Sequence, residues 1–186
     1  MQPRNDRAFT GGIHNGKAGM LPLALPTIAA LTPPEWRVMV HDLRAAPIDF
    51  DQKVGLVGIT ALTAEAPSAY EVADGFRARN VPVVIGGIHA TALPEEALRH
   101  ADAVVIGEAE GVWPEVLGDA EAGNLKRTYK AETSCDMLGM KVPRRELFDR
   151  NKYTSFFTIQ ATRGCPFNCA YCAVTGVFGR EFRTRR

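Results

Sequence analysis

Short apolar segments alternate with amphipathic ones between about residue 21 and residue 118. Each apolar segment is rich in β-branched residues and is bounded by glycine, proline or charge, a pattern typical of a strand that helices cover on both faces. The predicted strands are residues 37–41, 54–59, 81–85 and 103–106. Strands that alternate with helices in this way predict βαβ units on a parallel sheet, so the expected fold class is α/β.

Two of the amphipathic segments carry clear helix signals. Residues 67–79 place Ala69, Val72 and Phe76 on one face, at the spacing of a helix that packs on a sheet. Residues 94–100 predict a short helix whose first turn is acidic, and carboxylates there stabilise the positive end of the helix dipole. Both helices are expected to flank the sheet.

The chain divides into four segments by pattern. Residues 1–20 are irregular and contain no apolar run able to supply a strand, residues 21–122 form the α/β domain, and residues 123–152 are polar and irregular, as expected of a linker. A new strand is predicted over residues 153–160, where apolar and more polar positions alternate. Residues 153–186 are therefore expected to begin a second domain.

Composition and charge exclude several classes of protein. Apolar residues make up 46% of the chain and charged residues 23%, close to the averages for soluble globular proteins. A net charge of +1 provides no electrostatic footprint for nucleic acid. The longest apolar stretch, around residues 20–31, is interrupted by Pro22 and Pro26 and is shorter than the roughly 20 residues that span a bilayer, so no membrane span is predicted. Residues 1–10 do not resemble a secretory signal, so the expected location is cytoplasmic, where thiols remain reduced.

Three of the four cysteines lie close together, in the order Cys165-x-x-x-Cys169-x-x-Cys172, just after the last predicted strand. Thiolates are the soft ligands that iron–sulfur clusters require, and a four-iron four-sulfur (4Fe-4S) cluster normally takes four of them. Three ligands leave one iron open, and an open metal position is where a substrate can be coordinated. The spacing therefore predicts a 4Fe-4S cluster with an open iron.

A zinc site and three unrelated cysteines are the alternatives for this segment. Structural zinc sites usually take four ligands in paired CxxC or CxxH spacings, and the sequence contains no such partner pair. Cys135, in the linker, is interpreted as a free thiol, with a fourth metal ligand as the alternative. Arg163, just before Cys165, is expected to offset some of the negative charge of a thiolate-ligated cluster.

The cysteine segment, with the aromatic Tyr171 just before the last cysteine, resembles the radical S-adenosylmethionine (SAM) superfamily. The resemblance implies that Cys165, Cys169 and Cys172 hold the cluster and that the open iron binds the amino and carboxylate groups of SAM. In that superfamily the reduced cluster cleaves SAM to methionine and a 5'-deoxyadenosyl radical, which abstracts hydrogen from the substrate. The resemblance also implies a small-molecule substrate and an electron donor such as a flavodoxin, a ferredoxin or a reductase.

Polar residues and glycines follow three of the predicted strands. The segments are Thr60-Ala61-Leu62, Gly86-Gly87-Ile88-His89 and Gly107-Glu108-Ala109-Glu110. The carboxyl ends of parallel strands meet at one edge of the sheet, where ligands of open α/β sheets bind. Paired glycines there allow a large ligand to approach the backbone closely. The sequence therefore predicts a pocket at this edge.

Together with the cysteine segment, these strand ends resemble the branch of the superfamily that carries an N-terminal cobalamin-binding domain. The resemblance implies a Rossmann-like parallel sheet of the cobalamin-binding type, followed by a linker and by the first strand and cluster loop of a truncated radical SAM barrel. It also implies that Thr60, Leu62, Gly86 and Gly87 lie near cobalamin, with Glu108 as a further pocket residue.

Two features depart from the pattern of this branch. Members that ligate cobalt through histidine carry Asp-x-His-x-x-Gly, which the segment around His14 does not match, so bound cobalamin is expected to lack that histidine ligand. His41 and His89 are expected to be ordinary polar positions. The branch also begins with a strand deep in its sheet, which residues 1–20 do not supply, so this sheet is expected to lack a central strand.

The resemblance implies an enzyme that transfers a methyl group to an unactivated carbon, with ring closure or rearrangement as alternatives. A non-catalytic iron–sulfur or zinc module on an α/β scaffold is the competing hypothesis. The barrel of this branch continues well beyond its cysteine segment. The chain is therefore expected to be a fragment that is weakly folded or inactive alone.

Overall fold

Short strands and helices alternate along residues 17–185, the part of the chain that the computed structural model describes. The strands are β1 (Ala18–Met20), β2 (Val57–Thr60), β3 (Val83–Gly86), β4 (Ala103–Ile106), β5 (Thr128–Lys130), β6 (Tyr153–Ser155), β7 (Thr162–Arg163) and β8 (Arg183–Thr184). The α-helices are α1 (Ala24–Leu31), α2 (Ala66–Arg77), α3 (Ile88–Ala92), α4 (Pro94–Ala97), α5 (Trp113–Glu121) and α6 (Val174–Phe178). The α/β class predicted from the pattern is confirmed.

The central sheet is parallel and contains β2, β3, β4 and β5, in that order. Thr60 lies opposite Gly86 in the register of β2 and β3, and Ile106 lies opposite Lys130 in that of β4 and β5. Because all four strands run in the same direction, their carboxyl ends share one edge. We call this edge, formed by residues 60–62, 86–87 and 107–108, the carboxyl edge.

Helices cover both faces of the sheet, and each face has its own apolar layer. On one face Phe76 of α2 and Ala97 of α4 pack with Ile85 of β3. On the other, Trp113 of α5 packs with Tyr129 of β5, and α1 adds half-buried side chains to this layer. Successive residues along β3 and β4 point to opposite faces of the sheet, and apolar residues at all of these positions supply both layers.

The predicted element bounds agree with the structure to different degrees. The strand over residues 103–106 is confirmed, and the strands predicted over 54–59 and 81–85 are present as β2 and β3 with shifted bounds. The helix predicted over residues 67–79 is α2, whereas only residues 94–97 of the helix predicted over 94–100 form an α-helix, α4.

Four other expectations about secondary structure are wrong. Residues 18–20, predicted as part of an irregular N-terminus, form β1. Residues 37–41 form no strand, and they do not pair with any of the described strands. Residues 123–152 include β5, a strand of the central sheet that buries Tyr129 between two exposed neighbours. The strand predicted over residues 153–160 extends only to Ser155, and it pairs with β1. His14 and the rest of residues 1–16 lie outside the described residues.

The segment around residue 42 is held by side chains instead of a ladder of main-chain hydrogen bonds. Asp42 accepts hydrogen bonds from the Arg44 guanidinium at 2.7 Å and from the Tyr153 hydroxyl at 3.0 Å. His41 Nε2 lies 2.8 Å from the carbonyl oxygen of Ala46. Because Tyr153 begins β6, Asp42 ties this segment to the β1–β6 pair.

Acid is expected to weaken this tie. Burial acts to raise the pKa of Asp42, but hydrogen bonds from Arg44 and Tyr153 outweigh burial and hold the pKa below its ordinary value. A lowered carboxyl pKa contributes stability that is present above the ordinary pKa and is lost as the pH falls through the folded-state pKa. Asp42→Asn is therefore expected to lower the free energy of unfolding by about 1–3 kcal/mol at pH 7. This difference from wild type should shrink as the pH falls below about 4.

Urea unfolding at pH 7 and at low pH measures this difference. Asp49→Asn, at an exposed position a few residues further on, is the matched control. A cost of Asp42→Asn that does not change with pH would contradict the assignment.

None of the helices described between residues 17 and 185 is long and apolar enough to cross a membrane.

Candidate cofactor site at the carboxyl edge of the sheet

The turn after β3 touches the turn after β2. Gly87 precedes α3 with φ at +93°, and a Cβ built on it would lie 2.5 Å from Thr60 Oγ1 and 3.2 Å from the main-chain nitrogen and oxygen of Ala61. The amide of His89 donates to the carbonyl oxygen of Ala61 at 3.3 Å. Only glycine fits at position 87, because any side chain would push these two turns apart.

Gly86 and Leu62 occupy the same edge under weaker constraints. A Cβ on Gly86 would lie 3.5 Å from the nearest atom, on Val105, which is an ordinary van der Waals distance. The packing of the protein therefore does not require glycine at this position. Leu62 lies in the turn after β2 with 52% of its surface exposed. The structure thus brings together four of the five predicted pocket residues, Thr60, Leu62, Gly86 and Gly87.

Thr91 links two of the strand ends, and the sequence reasoning missed it. Its hydroxyl donates to the carbonyl oxygen of Gly87 at 2.8 Å and accepts from the amide of Gly107 at 2.9 Å. One residue therefore fixes the start of α3 against the end of β4. The signal in the sequence was a threonine one helical turn after a glycine that begins a helix, a position from which the hydroxyl reaches back to the main chain.

His89 is buried in a polar network of the protein. Its Nε2 lies 2.8 Å from the Tyr70 hydroxyl and its Nδ1 lies 3.4 Å from Thr63 Oγ1. Burial, together with a hydrogen bond to Glu96, raises the pKa of Tyr70 to about 12. Since both ring nitrogens of His89 face protein groups, the expectation that it is an ordinary polar position agrees with the structure.

Glu108, the fifth predicted pocket residue, is engaged on both carboxylate oxygens by the protein. Oε1 accepts from Arg163 Nη1 at 2.7 Å, and Oε2 accepts from Arg183 Nη1 at 2.8 Å and from the amide of Cys135 at 2.9 Å. Burial acts to raise the pKa of Glu108, but the hydrogen bonds from both arginines hold it below its ordinary value. These contacts give Glu108 a different role from the other four residues.

The cysteine segment leaves β7 and returns to β8, and these two strands pair antiparallel. We call residues 164–182, between these strands, the cysteine loop. The amide of Cys165 donates to the carbonyl oxygen of Gly179 at 3.2 Å, and the amide of Cys172 donates to that of Cys169 at 3.0 Å. Cys165 is half-buried, whereas Cys169 and Cys172 are exposed.

The cysteine side chains form no ready-made metal site in the described part of the chain. Across residues 17–185 there is no group of three or more histidine, cysteine, aspartate or glutamate side chains arranged to hold a metal ion. Cys135 is half-buried, and burial followed by the charge of Glu110 raises the pKa of its thiol. Its interpretation as a free thiol stays a prediction.

The cysteine loop lies against the carboxyl edge. Its helix α6 contacts α3, and the carbonyl oxygen of Val177 lies 3.7 Å from the position of a Cβ on Gly107. Arg163, expected to offset the charge of a cluster, is instead paired with Glu108 and with Glu110 at 2.5 Å. The cysteine loop therefore reaches the carboxyl edge at α3 and at Gly107, just after β4.

An open groove of about 790 Å³ lies beside β5. Its lining includes Glu110, Tyr129, Lys141 and Cys135, and it excludes Thr60, Leu62 and the glycine pair. The groove is therefore separate from the four residues that the resemblance implies lie near cobalamin.

Comparison with known proteins identifies the α/β part of the chain. Residues 13–117 match the model of the B12 binding domain, which covers more than half of the chain. The chain belongs to the B12-binding domain family. The match includes all five predicted pocket residues and ends before the cysteine loop. Membership agrees with the parallel sheet and flanking helices described above.

Relatives of this B12-binding chain are named as methyltransferases. It is 38% identical to bacteriochlorophyllide d C-8(2)-methyltransferase of Chlorobaculum tepidum, over 88% of the chain and 38% of that protein. It is 34% identical to bacteriochlorophyllide d C-12(1)-methyltransferase of the same organism, over 100% of the chain and 41% of that protein. It is also 26% identical to the hopanoid C-2 methylase of Rhodopseudomonas palustris, over 90% of the chain and 33% of that protein. The chain spans about two fifths of the length of the first two relatives.

Proposed function

We propose that this chain is the cobalamin-binding part of a radical SAM enzyme that transfers a methyl group to an unactivated carbon. The observation that carries the proposal is that the cysteine loop lies against the carboxyl edge of a B12-binding sheet. Its helix α6 contacts α3, and the arginines at its two ends pair with Glu108. Two cofactors that act on one substrate need sites that face each other, and this contact supports such an arrangement. The names of the relatives favour methyl transfer over ring closure or rearrangement.

The residues at the carboxyl edge fit cobalamin. Gly86 presents main chain without a side chain, and the protein's own packing does not require glycine there, so an approaching ligand explains it best. Leu62 adds an exposed apolar surface beside it. Thr60 and Gly87 set the spacing of the two turns. When bound, cobalamin supplies a transferable methyl group on cobalt, and these residues would hold and orient it without a histidine ligand from His41 or His89.

The three thiols of the cysteine loop match an iron–sulfur cluster in their chemistry and their number. Three thiols lie on one loop with two of them exposed, and thiolates are the ligands that such clusters take. Cys165, Cys169 and Cys172 would hold a 4Fe-4S cluster, which when bound supplies an electron to SAM at its open iron. Tyr171, 93% exposed, is available to cover a ligand beside the cluster.

The remaining parts of the proposal concern partners and location. The substrate would be a small molecule with an unactivated carbon, and the electron would come from a flavodoxin, a ferredoxin or a reductase. The enzyme would act in the cytoplasm, where reduced thiols persist.

Metal content after anaerobic reconstitution tests the cluster. Wild-type chain is expected to take up about four irons with equal acid-labile sulfide, and to show an absorbance shift on addition of SAM. A variant with alanine at all three loop cysteines should retain none. Cys135→Ala is the matched control and should behave as wild type, since it removes a cysteine that lies outside the loop.

Two results would count against the cluster. Zinc retained through purification without a brown chromophore would favour a non-catalytic module. Equal loss of iron in Cys135→Ala and in the triple variant would remove the assignment of the three ligands. Retention of hydroxocobalamin on a desalting column tests the other cofactor, and wild-type chain is expected to retain it.

A further inference from the structure

Two carboxylates and two guanidinium groups form a compact buried cluster at the end of β4. Glu108 and Glu110 pair with Arg163 at 2.7 and 2.5 Å, and Glu108 pairs with Arg183 at 2.8 Å. The side chains of Glu108 and Arg163 are 4% and 7% exposed, and those of Arg183 and Glu110 are 11% and 12% exposed. Buried charges are stable only when they are paired and hydrogen-bonded, so these four groups depend on one another.

The two arginines stand at the two ends of the cysteine loop. Arg163 is the last residue of β7 and lies two positions before Cys165, and Arg183 is the first residue of β8. Arg183 also donates to the carbonyl oxygens of Phe178 at 2.8 Å and Cys135 at 2.7 Å. Both ends of the loop are therefore tied to a single carboxylate on the sheet.

We propose that Glu108 is a positioning residue that fixes the cysteine loop against the carboxyl edge of the B12-binding sheet. This inference rests on the proposed function for its purpose, because a fixed loop would hold a cluster at a set place relative to cobalamin. The contacts themselves explain how it works. Removing the charge of Glu108 deprives the buried Arg163 and Arg183 of the carboxylate that they share. Because a buried charge without a partner is unstable, the loop is expected to move until water reaches the two guanidinium groups.

Hydrogen exchange of the metal-free chain tests the positioning directly. In Glu108→Gln, amide exchange across residues 164–182 is expected to rise by about tenfold or more. Exchange across residues 83–106, in the sheet, should remain close to that of wild type. Glu121→Gln, at the exposed end of α5, is the control and should leave both regions unchanged. Unchanged exchange of the loop in Glu108→Gln would overturn the proposal.

Iron release gives a second measurement after reconstitution. If Glu108 positions the loop, Glu108→Gln should take up iron but lose it to a chelator several times faster than Glu121→Gln. Equal rates of loss would contradict the proposal. If the wild-type chain takes up no iron, the proposed cluster is wrong, while the exchange data still decide whether Glu108 fixes the loop.

A milder variant covers the case in which Glu108→Gln unfolds throughout. Glu108→Asp keeps the charge but shortens the side chain by one methylene, so that it cannot reach both guanidinium groups at hydrogen-bond distance. Its exchange is expected to rise in residues 164–182 alone, and by less than in Glu108→Gln. No rise in the loop would overturn the proposal.

Discussion

Gly164→Ala is expected to detach the cysteine loop from its base. Gly164 has φ at +80°, and a Cβ on it would overlap the carbonyl oxygen of Glu181 and lie 3.3 Å from that of Gly179. These are main-chain atoms, which cannot rotate away as a flexible side chain would. We expect a cost of about 3 kcal/mol or more, from the left-handed backbone and the overlap together. The β7–β8 pair should open, and the loop should become sensitive to protease.

Limited proteolysis and hydrogen exchange of residues 164–182 measure this effect. Gly176→Ala is the matched control, because it lies in α6 of the same loop and a Cβ there has no atom within 4 Å. Alanine at that helical position is expected to be neutral or to stabilise the helix by up to about 1 kcal/mol. Wild-type protection of the loop in Gly164→Ala would contradict the predicted overlap with Glu181.

Gly87→Ala is expected to separate the first two turns of the carboxyl edge. Position 87 combines φ at +93° with ψ at −172°, a region that is essentially restricted to glycine. The added Cβ would also press on Thr60 and Ala61. We expect the free energy of unfolding to fall by about 2–4 kcal/mol, and retention of hydroxocobalamin to be lost.

Two other glycines show whether loss of binding follows from loss of the fold. Gly118→Ala, with open space around its Cβ, should keep both stability and cobalamin. Gly86→Ala should keep the fold, because its Cβ meets Val105 at an ordinary distance, and yet weaken cobalamin retention if the ligand approaches the backbone there. Full stability of Gly87→Ala in urea unfolding would contradict the steric argument.

Local signals in the sequence were enough to predict three of the four strands of the central sheet and its carboxyl edge. The run over residues 103–106 is wholly apolar, and its bounds agree with β4. Gly86 and Gly87 come directly after the strand predicted over residues 81–85. Their place at the edge then follows from the parallel arrangement of the strands alone. In these cases the deciding information lies within a few neighbouring residues.

Other features depend on partners that are distant in the chain. Residues 37–41 have the composition of a strand, but strand formation requires a neighbour to share hydrogen bonds, and the described strands offer none. Glu108 was expected to face a ligand, but its partners Arg163 and Arg183 lie 55 and 75 residues further along the chain. The ion pairs of Glu108 with Arg163 and Arg183 produce no repeating pattern in the sequence, so they could not be predicted from it.

The buried ion pairs at the end of β4 constrain how this protein can be recombined with its relatives. Glu108 and Glu110 belong to the part that matches the B12-binding family, and both arginines follow it in the chain. A chimera joined between residues 117 and 163 would inherit acids from one parent and bases from the other. Such exchanges should yield stable hybrids only between parents that place complementary charges at these positions, so the two halves are constrained to evolve together.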